Sequence, residues 1–425
     1  MALDNENGRR RFLTQLLAGA GMLTIGGNVL AGINEANRGL LRSGGAMQQR
    51  RFVDALRAGL EPPDANGVRL PAGFSSRVVA RSSQPAVTGG AYNWHSAPDG
   101  GATYATQDGG WVYACNAELA PPSGGVGAIR FDAQGNVVDS YRILDGTNRN
   151  CAGGPTPWNT WLSCEEHSLG LVWECDPYAA GQGIARPALG TFSHEAVAVD
   201  PVNRIVYQTE DHGSSGFYRF RPAAWPSLDA GVLEVATVTG DPTTGRADVT
   251  WTTVPNPNPT AAQTPTRDQV DGIARFNRGE GIYYHNGVVY FTTTGDHRVW
   301  AYRTTDAKLS VIYDGNSPAN GILREPDNVV VDARGYVYVA EDSDDLQIVM
   351  LTPEATPLAF VQLVGHDASE ITGPAFSPDG TRFYFNSQRG TSGSSSDGMT
   401  FEITGPFPSV DLIHADGFDD RIELP

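Results

Sequence analysis

The sequence predicts an all-β fold, a six-bladed β-propeller behind an N-terminal export signal. Two observations carry that reading: the composition, and one strand pattern that recurs six times. Charged residues make up 18% of the 425, with 50 glycines and 28 prolines. That balance suits many short strands joined by turns and excludes helical bundles and disordered chains. Propellers of this length fold as one unit. Residues 1–31 read as the signal, 32–65 as a linker or N-terminal segment, and 66–425 as the propeller, with an insertion near 225–270.

The N-terminal segment comes first. Gly8-Arg9-Arg10-Arg11-Phe12-Leu13-Thr14 carries a twin arginine, a spacer and Phe-Leu, and a weakly apolar, glycine-rich stretch follows to about Leu30. Val29-Leu30-Ala31 suits a signal peptidase. The plainer alternative is an uncleaved anchor or a chance basic cluster. Recognition by the twin-arginine export machinery places the protein in the periplasm or outside the cell, and that machinery carries chains already folded around their cofactors. No other apolar run approaches the ~20 residues a membrane span needs. Cys115, Cys151, Cys164 and Cys175 could form disulfides in an exported chain, but four cysteines are too few for a disulfide scaffold.

The repeat is a strand of two apolar residues and an aromatic that ends in polar or acidic residues. Its copies are Trp111–Glu118, Trp161–Glu166, Ile205–Asp211, Val288–Asp296, Tyr336–Asp342 and Arg382–Gln388. Turn residues precede most of them, as in Asp108-Gly-Gly110, Asn286-Gly287, Asp332 to Gly335 and Asp379-Gly380. Equivalent positions 112, 161, 206, 289, 337 and 383 are spaced by 49, 45, 83, 48 and 46 residues, and the long interval marks the proline- and threonine-rich insertion. The regular period favours a propeller over a β-sandwich or two smaller sheets.

Antiparallel pairing puts the start of each first strand beside the end of the second. That edge collects Cys151 with Glu165-Glu166, His194-Glu195 with Glu210-Asp211, Arg278-Gly-Glu280 with Asp296, and Glu325-Pro-Asp327-Asn328 with Glu341-Asp342. Two like charges 4 Å apart repel by ~4 kcal/mol at an effective dielectric of 20, so such a ring either takes up protons or binds cations. Carboxylates and Asn328 suit calcium, whereas a thiolate selects a transition metal of the iron or zinc type. Cys151 is read either as a ligand within a mixed-metal ring or as a small buried apolar residue or disulfide partner. The formal charge of −18, with no offsetting basic patch, excludes nucleic acid and anionic membranes as partners.

Asn150-Cys-Ala-Gly-Gly-Pro-Thr-Pro-Trp-Asn-Thr-Trp-Leu-Ser-Cys-Glu-Glu166 resembles the signature of the PhoX-type alkaline phosphatases. Phe192–Ala196, Tyr207–Asp211, Asn277–Gly281 and Glu325–Asn328 match further blocks of that family in order, over about residues 90–390. The resemblance implies hydrolysis of a small-molecule phosphate monoester at an iron–calcium cluster in the channel mouth. It implies Cys151 and Glu166 as iron ligands, Glu195 and Glu280 as bridges between iron and calcium, and Glu325, Asp327, Glu341 and Asp342 as further calcium ligands. Glu118 and Glu210 complete the expected ligand set, although Cys115-Asn-Ala-Glu118 departs from the family's Asn-His-Glu. Arg278 becomes the catalytic candidate, a bidentate clamp on the phosphoryl oxygens. A monomer is expected.

Two rival functions remain at this level: a calcium-dependent propeller lactonase, and a non-enzymatic binding propeller stabilised by calcium. Neither needs a thiolate among the carboxylates.

Overall fold

The computed structural model describes residues 48–408 apart from 182, 246, 318–320 and 344. The expected signal at 1–31 and residues 32–47 lie outside the described residues.

The fold is all-β and propeller-like. Consecutive antiparallel strands pair into four-strand runs. The first run is Pro98–Ala105, Trp111–Ala117, Gly124–Phe131 and Val137–Thr147; the second is Asn150–Pro155, Trp161–Glu165, Val172–Cys175 and Ile184–Ala185. The third (His194–Asp200, Ile205–Glu210, Tyr218–Pro222, Gly231–Thr239) and the fourth (Gly279–His285, Val288–Thr293, Arg298–Arg303, Lys308–Asp314) belong to one nine-stranded sheet. They are joined by Ala247–Thr253, which pairs with Lys308–Asp314 at Ala247 and Asp248. The stretch read as an insertion therefore supplies that linking strand. The fifth run is Pro326–Val331, Val337–Glu341, Gln347–Leu351 and Pro357–Leu363. The sixth, Ile371–Phe376, Arg382–Ser387 and Met399–Thr404, takes its outer strand, Ser75–Arg81, from the other end of the domain.

The recurring sequence motif is the second strand of each run, and its composition follows from where it lies. Trp111–Ala117, Ile205–Glu210 and Val288–Thr293 are buried at every position. A strand covered on both faces reads as a continuous apolar run rather than an alternation. The covering comes from neighbouring runs. Buried apolar side chains form clusters between the first and second runs (Tyr104, Trp161), the second and third (Leu162, Phe192, Tyr218), and the third and fourth (Tyr207, Phe217, Phe291, Trp300). Further clusters join the fourth and fifth (Tyr290, Val339), the fifth and sixth (Tyr338, Phe360, Phe383), and the sixth and first (Tyr113, Phe131, Tyr384).

Each fully buried aromatic contributes roughly 1.5–3 kcal/mol by transfer from water. Stacking of Phe291 on Trp300, at 5.8 Å and 4°, adds the geometric specificity. Residues 48–57 are helical, and Phe52, Val53 and Leu56 pack into the cluster between the fifth and sixth runs. The expected turns carry the backbone they require, with φ of +45° and +84° at Asn286 and Gly287 and of +87° at Gly335.

Candidate metal centre

One backbone device is repeated at the start of every run. The amide just past the second strand donates to the carbonyl just before the first: Glu118 to Ala97 (3.0 Å), Glu166 to Arg149 (2.8 Å), Asp211 to Ser193 (3.1 Å), Thr294 to Arg278 (3.1 Å), Asp342 to Glu325 (3.1 Å) and Gln388 to Glu370 (3.1 Å). Ala97, Arg149, Arg278 and Glu325 are left-handed, with φ between +45° and +58°. Two residues further on, the second position of each first strand holds Asp99, Cys151, Glu195, Glu280, Asp327 and Thr372. The register slips across that position in five of the pairs, for instance between Asn150 and Gly153 and between Gly279 and Ile282, and just after it, between Thr372 and Ala375, in the sixth. A bulge of this kind re-aims a side chain. Here the same bulge recurs around the ring.

The ring is tied together from run to run. Asn116 is fully buried and donates to the carbonyls of Cys151 (3.0 Å) and Ala152 (2.8 Å), while its own carbonyl accepts from Trp161 Nε1 (2.8 Å) and Ser163 Oγ (2.9 Å). The hydroxyls of Thr209 and Thr292 donate to the carbonyls of Glu280 and Asp327. Asn386 Nδ2 reaches the carbonyl of Asp99 at 2.8 Å. In each case the penultimate residue of a second strand holds the site residue of the next run.

Three groups of ligand atoms converge. Cys151, Glu166 and Glu195 bring one atom each within 4.8 Å of one another; Glu195, Glu280 and Asp327 do the same; Asp99, Glu118 and Glu370 form a third group. Glu195 is common to the first two. Glu195 is 1% exposed, and its Oε1 has no hydrogen-bond partner among the described residues. Among the described residues, Oε1 of Glu280 has only the ion pair with Arg278 Nη2, at 3.1 Å.

Burial first, and neighbouring carboxylates second, push Glu195, Glu280 and Asp99 well above the usual carboxylate range. Glu166 is pushed up to about 8 by burial and by Asp211, and Asp327 to about 8 by burial and by Asp342. Burial likewise raises the Cys151 thiol. Without cations the ring therefore holds protons. The donor set fits metal ions on its own chemistry: a buried carboxylate with an orphaned oxygen, Glu195, shared between two groups, a soft sulfur on one side and only oxygens on the other.

Arg278 spans the ring. Its Nε and Nη2 donate to Asp211 at 3.0 and 3.1 Å, and its Nη1 lies 3.7 Å from Asp342. Asp342 is thus a neighbour of Arg278, and it also hydrogen-bonds Glu370, rather than belonging to a ligand group.

Among the predicted ligands, Glu210, Glu341 and Glu325 lie outside the three groups. Glu210 is buried and turned outward, its carboxylate accepting from Arg267 (2.6 Å), Tyr218 Oη (2.8 Å) and the amide of Gly216 (3.2 Å). Glu341 accepts from the amides of Arg324 (2.7 Å) and Gln347 (2.9 Å). Glu165 behaves alike, accepting from the amides of Asn148 (2.9 Å) and Leu171 (3.1 Å). The reason is strand alternation: the last residue of the second strand faces its own loop, and the next one faces the ring. Glu325 is engaged by the hydroxyl of Ser343. Sequence reasoning missed Asp99 and Glu370, although Asp99 is the exact repeat counterpart of Glu195 and Glu280. His194 is buried against Phe192, bonds the carbonyl of Gly190 at 3.1 Å, and is pushed down to about 3 by burial. All four cysteines are free thiols.

A propeller-like protein with a candidate metal centre at the starts of its first strands is the class that fold and site define. A family model for the alkaline phosphatase PhoX matches residues 111–170 and 167–390, and the chain belongs to that family. Its fold is similar to that of Pseudomonas fluorescens PhoX in complex with vanadate, a transition state analogue, with a TM-score of 0.67 and 18% identity over 82% of this chain and 97% of that one. It is also similar to a gluconolactonase from Xanthomonas campestris, at a TM-score of 0.47 and 13% identity over 82% of this chain and 97% of that one. No curated protein is significantly similar in sequence.

Proposed function

We propose that the protein is an exported metal-dependent phosphatase, a six-bladed propeller that hydrolyses phosphate monoesters at a mixed iron–calcium cluster. The six blades follow from counting the nine-stranded sheet as two runs joined at their outer edges. The observation that carries the function is the pair of ligand groups sharing Glu195, with the Arg278 guanidinium beside them. Cys151, Glu166 and Glu195 would hold iron, and Glu195, Glu280 and Asp327 calcium, with Asp99, Glu118 and Glu370 as a second oxygen-only site. Bound cations would neutralise the phosphoryl oxygens and activate the attacking oxygen.

The chain's own residues supply orientation. Asp211 fixes the plane of Arg278 through two hydrogen bonds, and Nη1, whose nearest acid is Asp342 at 3.7 Å, would be the arm that meets a phosphoryl oxygen. Asn116, Thr209, Thr292 and Asn386 fix the backbone from which the ligands project. That rigidity keeps the site organised through turnover. Family membership supports the reaction class. The twin-arginine segment supports export, and no helix among the described residues is long and apolar enough to cross a membrane.

The test is hydrolysis of p-nitrophenyl phosphate by protein purified without chelator, run beside a lactone panel and elemental analysis. Phosphate release with both iron and calcium bound is expected. Calcium with no iron removes the mixed cluster, and lactone cleavage without phosphate release removes the phosphatase. Arg278→Ala is expected to lower turnover by 10²-fold or more with bound metal nearly unchanged.

A further inference from the structure

The residue before each first strand forms an outer tier around the ring: Ala97, Arg149, Ser193, Arg278, Glu325 and Glu370. Arg149 thus stands at the same repeat position as Arg278, two runs away around the axis, with the same left-handed backbone at φ +49°. It is anchored on both sides, its amide donating to Leu119 at 2.8 Å and its carbonyl accepting from Glu166 at 2.8 Å.

The charged members of this tier differ in what they meet. Arg278 is surrounded by Asp211, Glu280 and Asp342, and Glu370 is paired with Arg389 at 2.7 Å. Glu325 is held by Ser343. The guanidinium of Arg149 is exposed and has no ion pair or side-chain hydrogen bond among the described residues. Its charge nevertheless reaches Glu118. In a chain with 48 acidic and 30 basic side chains, an arginine left without a carboxylate at the rim of an acidic ring has its donors available for an incoming anion.

Resting on the phosphatase reading, we propose that Arg149 binds a second oxyanion of the substrate, carried by the leaving group. Arg149 holds the same rim position as Arg278 two runs further round, where the ester substituent of a phosphoryl group seated at Arg278 would meet it. The site is therefore selective for phosphomonoesters whose alcohol bears a carboxylate or a further phosphate.

A matched pair of esters tests this: 3-phosphoglycerate and glycerol 3-phosphate, which differ in one carboxylate. With metal-replete protein, Arg149→Ala is expected to lower kcat/KM for 3-phosphoglycerate at least tenfold more than for glycerol 3-phosphate, through KM, with Arg149→Lys recovering part of the difference. A ratio unchanged within twofold overturns the proposal. Calorimetric binding of phosphonoacetate and methylphosphonate, which contain no ester, makes the same comparison without turnover. Preference for phosphonoacetate lost in Arg149→Ala supports the proposal, and preference absent from the wild type or retained in the variant overturns it. A wild type that cleaves neither ester refutes the phosphatase reading, while the phosphonate pair still decides the role of Arg149.

Discussion

At the scale of single residues, neighbouring acids have opposite fates. Glu165 and Glu166 are adjacent, yet the first caps a loop through two backbone amides and the second enters a ligand group with Cys151 and Glu195. Glu341 and Asp342 divide in the same way between loop and ring. Cys151 illustrates the opposite dependence, on what lies behind a candidate ligand. Its carbonyl and that of Ala152 are held by Asn116, whose amide is satisfied by four partners. Cys151→Ala is expected to lose iron and activity together while calcium stays bound, as read by elemental analysis; retained iron would refute ligation. Asn116→Leu leaves two carbonyls and two donors without their partner, and is expected to cost at least about 4 kcal/mol in urea denaturation, since each stranded buried polar group costs ~1–3 kcal/mol.

At the scale of the strand, the site depends on how closely first strands approach the axis. A Cβ added to Gly281 would lie 2.7 Å from the Cα of Asn328, and one added to Gly100 2.5 Å from the Cα of Ala152. Both contacts are with backbone, so the strands must separate to relieve them. Gly281→Ala is expected to destabilise by ~1–3 kcal/mol and to weaken calcium binding more than it weakens iron binding, because Asp327 and Asn328 are what it pushes. Calcium titration of the variant checks this, and unchanged affinity would show that the strand spacing is not what sets the site.

The element scale also explains what could be read from sequence. The second strands were legible because burial on both faces makes them continuous apolar runs, and Cys151, Glu166, Glu195, Glu280 and Asp327 were legible because they adjoin such strands in recognisable blocks. The loop-facing roles of Glu210 and Glu341 were not, because one step along a strand reverses the face and the six bulges cannot be counted from residue types. Asp99 and Glu370 were hidden by sitting in runs whose second strands end in Ala117-Glu118 and Ser387-Gln388, without the paired acids that marked the others. The outer strand Ser75–Arg81 carried no repeat signal at all.

At the scale of the molecule, the acidic ring sets the pH response. In the cation-free protein Glu166 and Asp327 titrate near 8, against roughly 4.3 and 3.9 for exposed carboxyls. Between those values the folded chain keeps protons that the unfolded chain has released, so this contribution to stability is full below pH 4 and is lost as pH rises through 8. Chelated protein is expected to show a falling Tm from pH 5 to 8.5, and restored calcium and iron should remove that slope because bound cations need ionised ligands. A flat profile after chelation would mean that the ring does not store protons.

The pairing of Ser75–Arg81 with Met399–Thr404 has a consequence in time. The strand that seals the ring is among the first of the described strands to be synthesised, and its partner is the last. The third ligand group joins Asp99 and Glu118 of the first run to Glu370, which precedes the first strand of that same sixth run. Closure over more than 300 residues of chain is a slow, long-range event. Until it happens, a growing polypeptide holds Asp99 and Glu118 in a first run whose sixth-run neighbour is incomplete. Binding competence at that third group should therefore arrive abruptly, late in synthesis, and not in proportion to the length of chain already made.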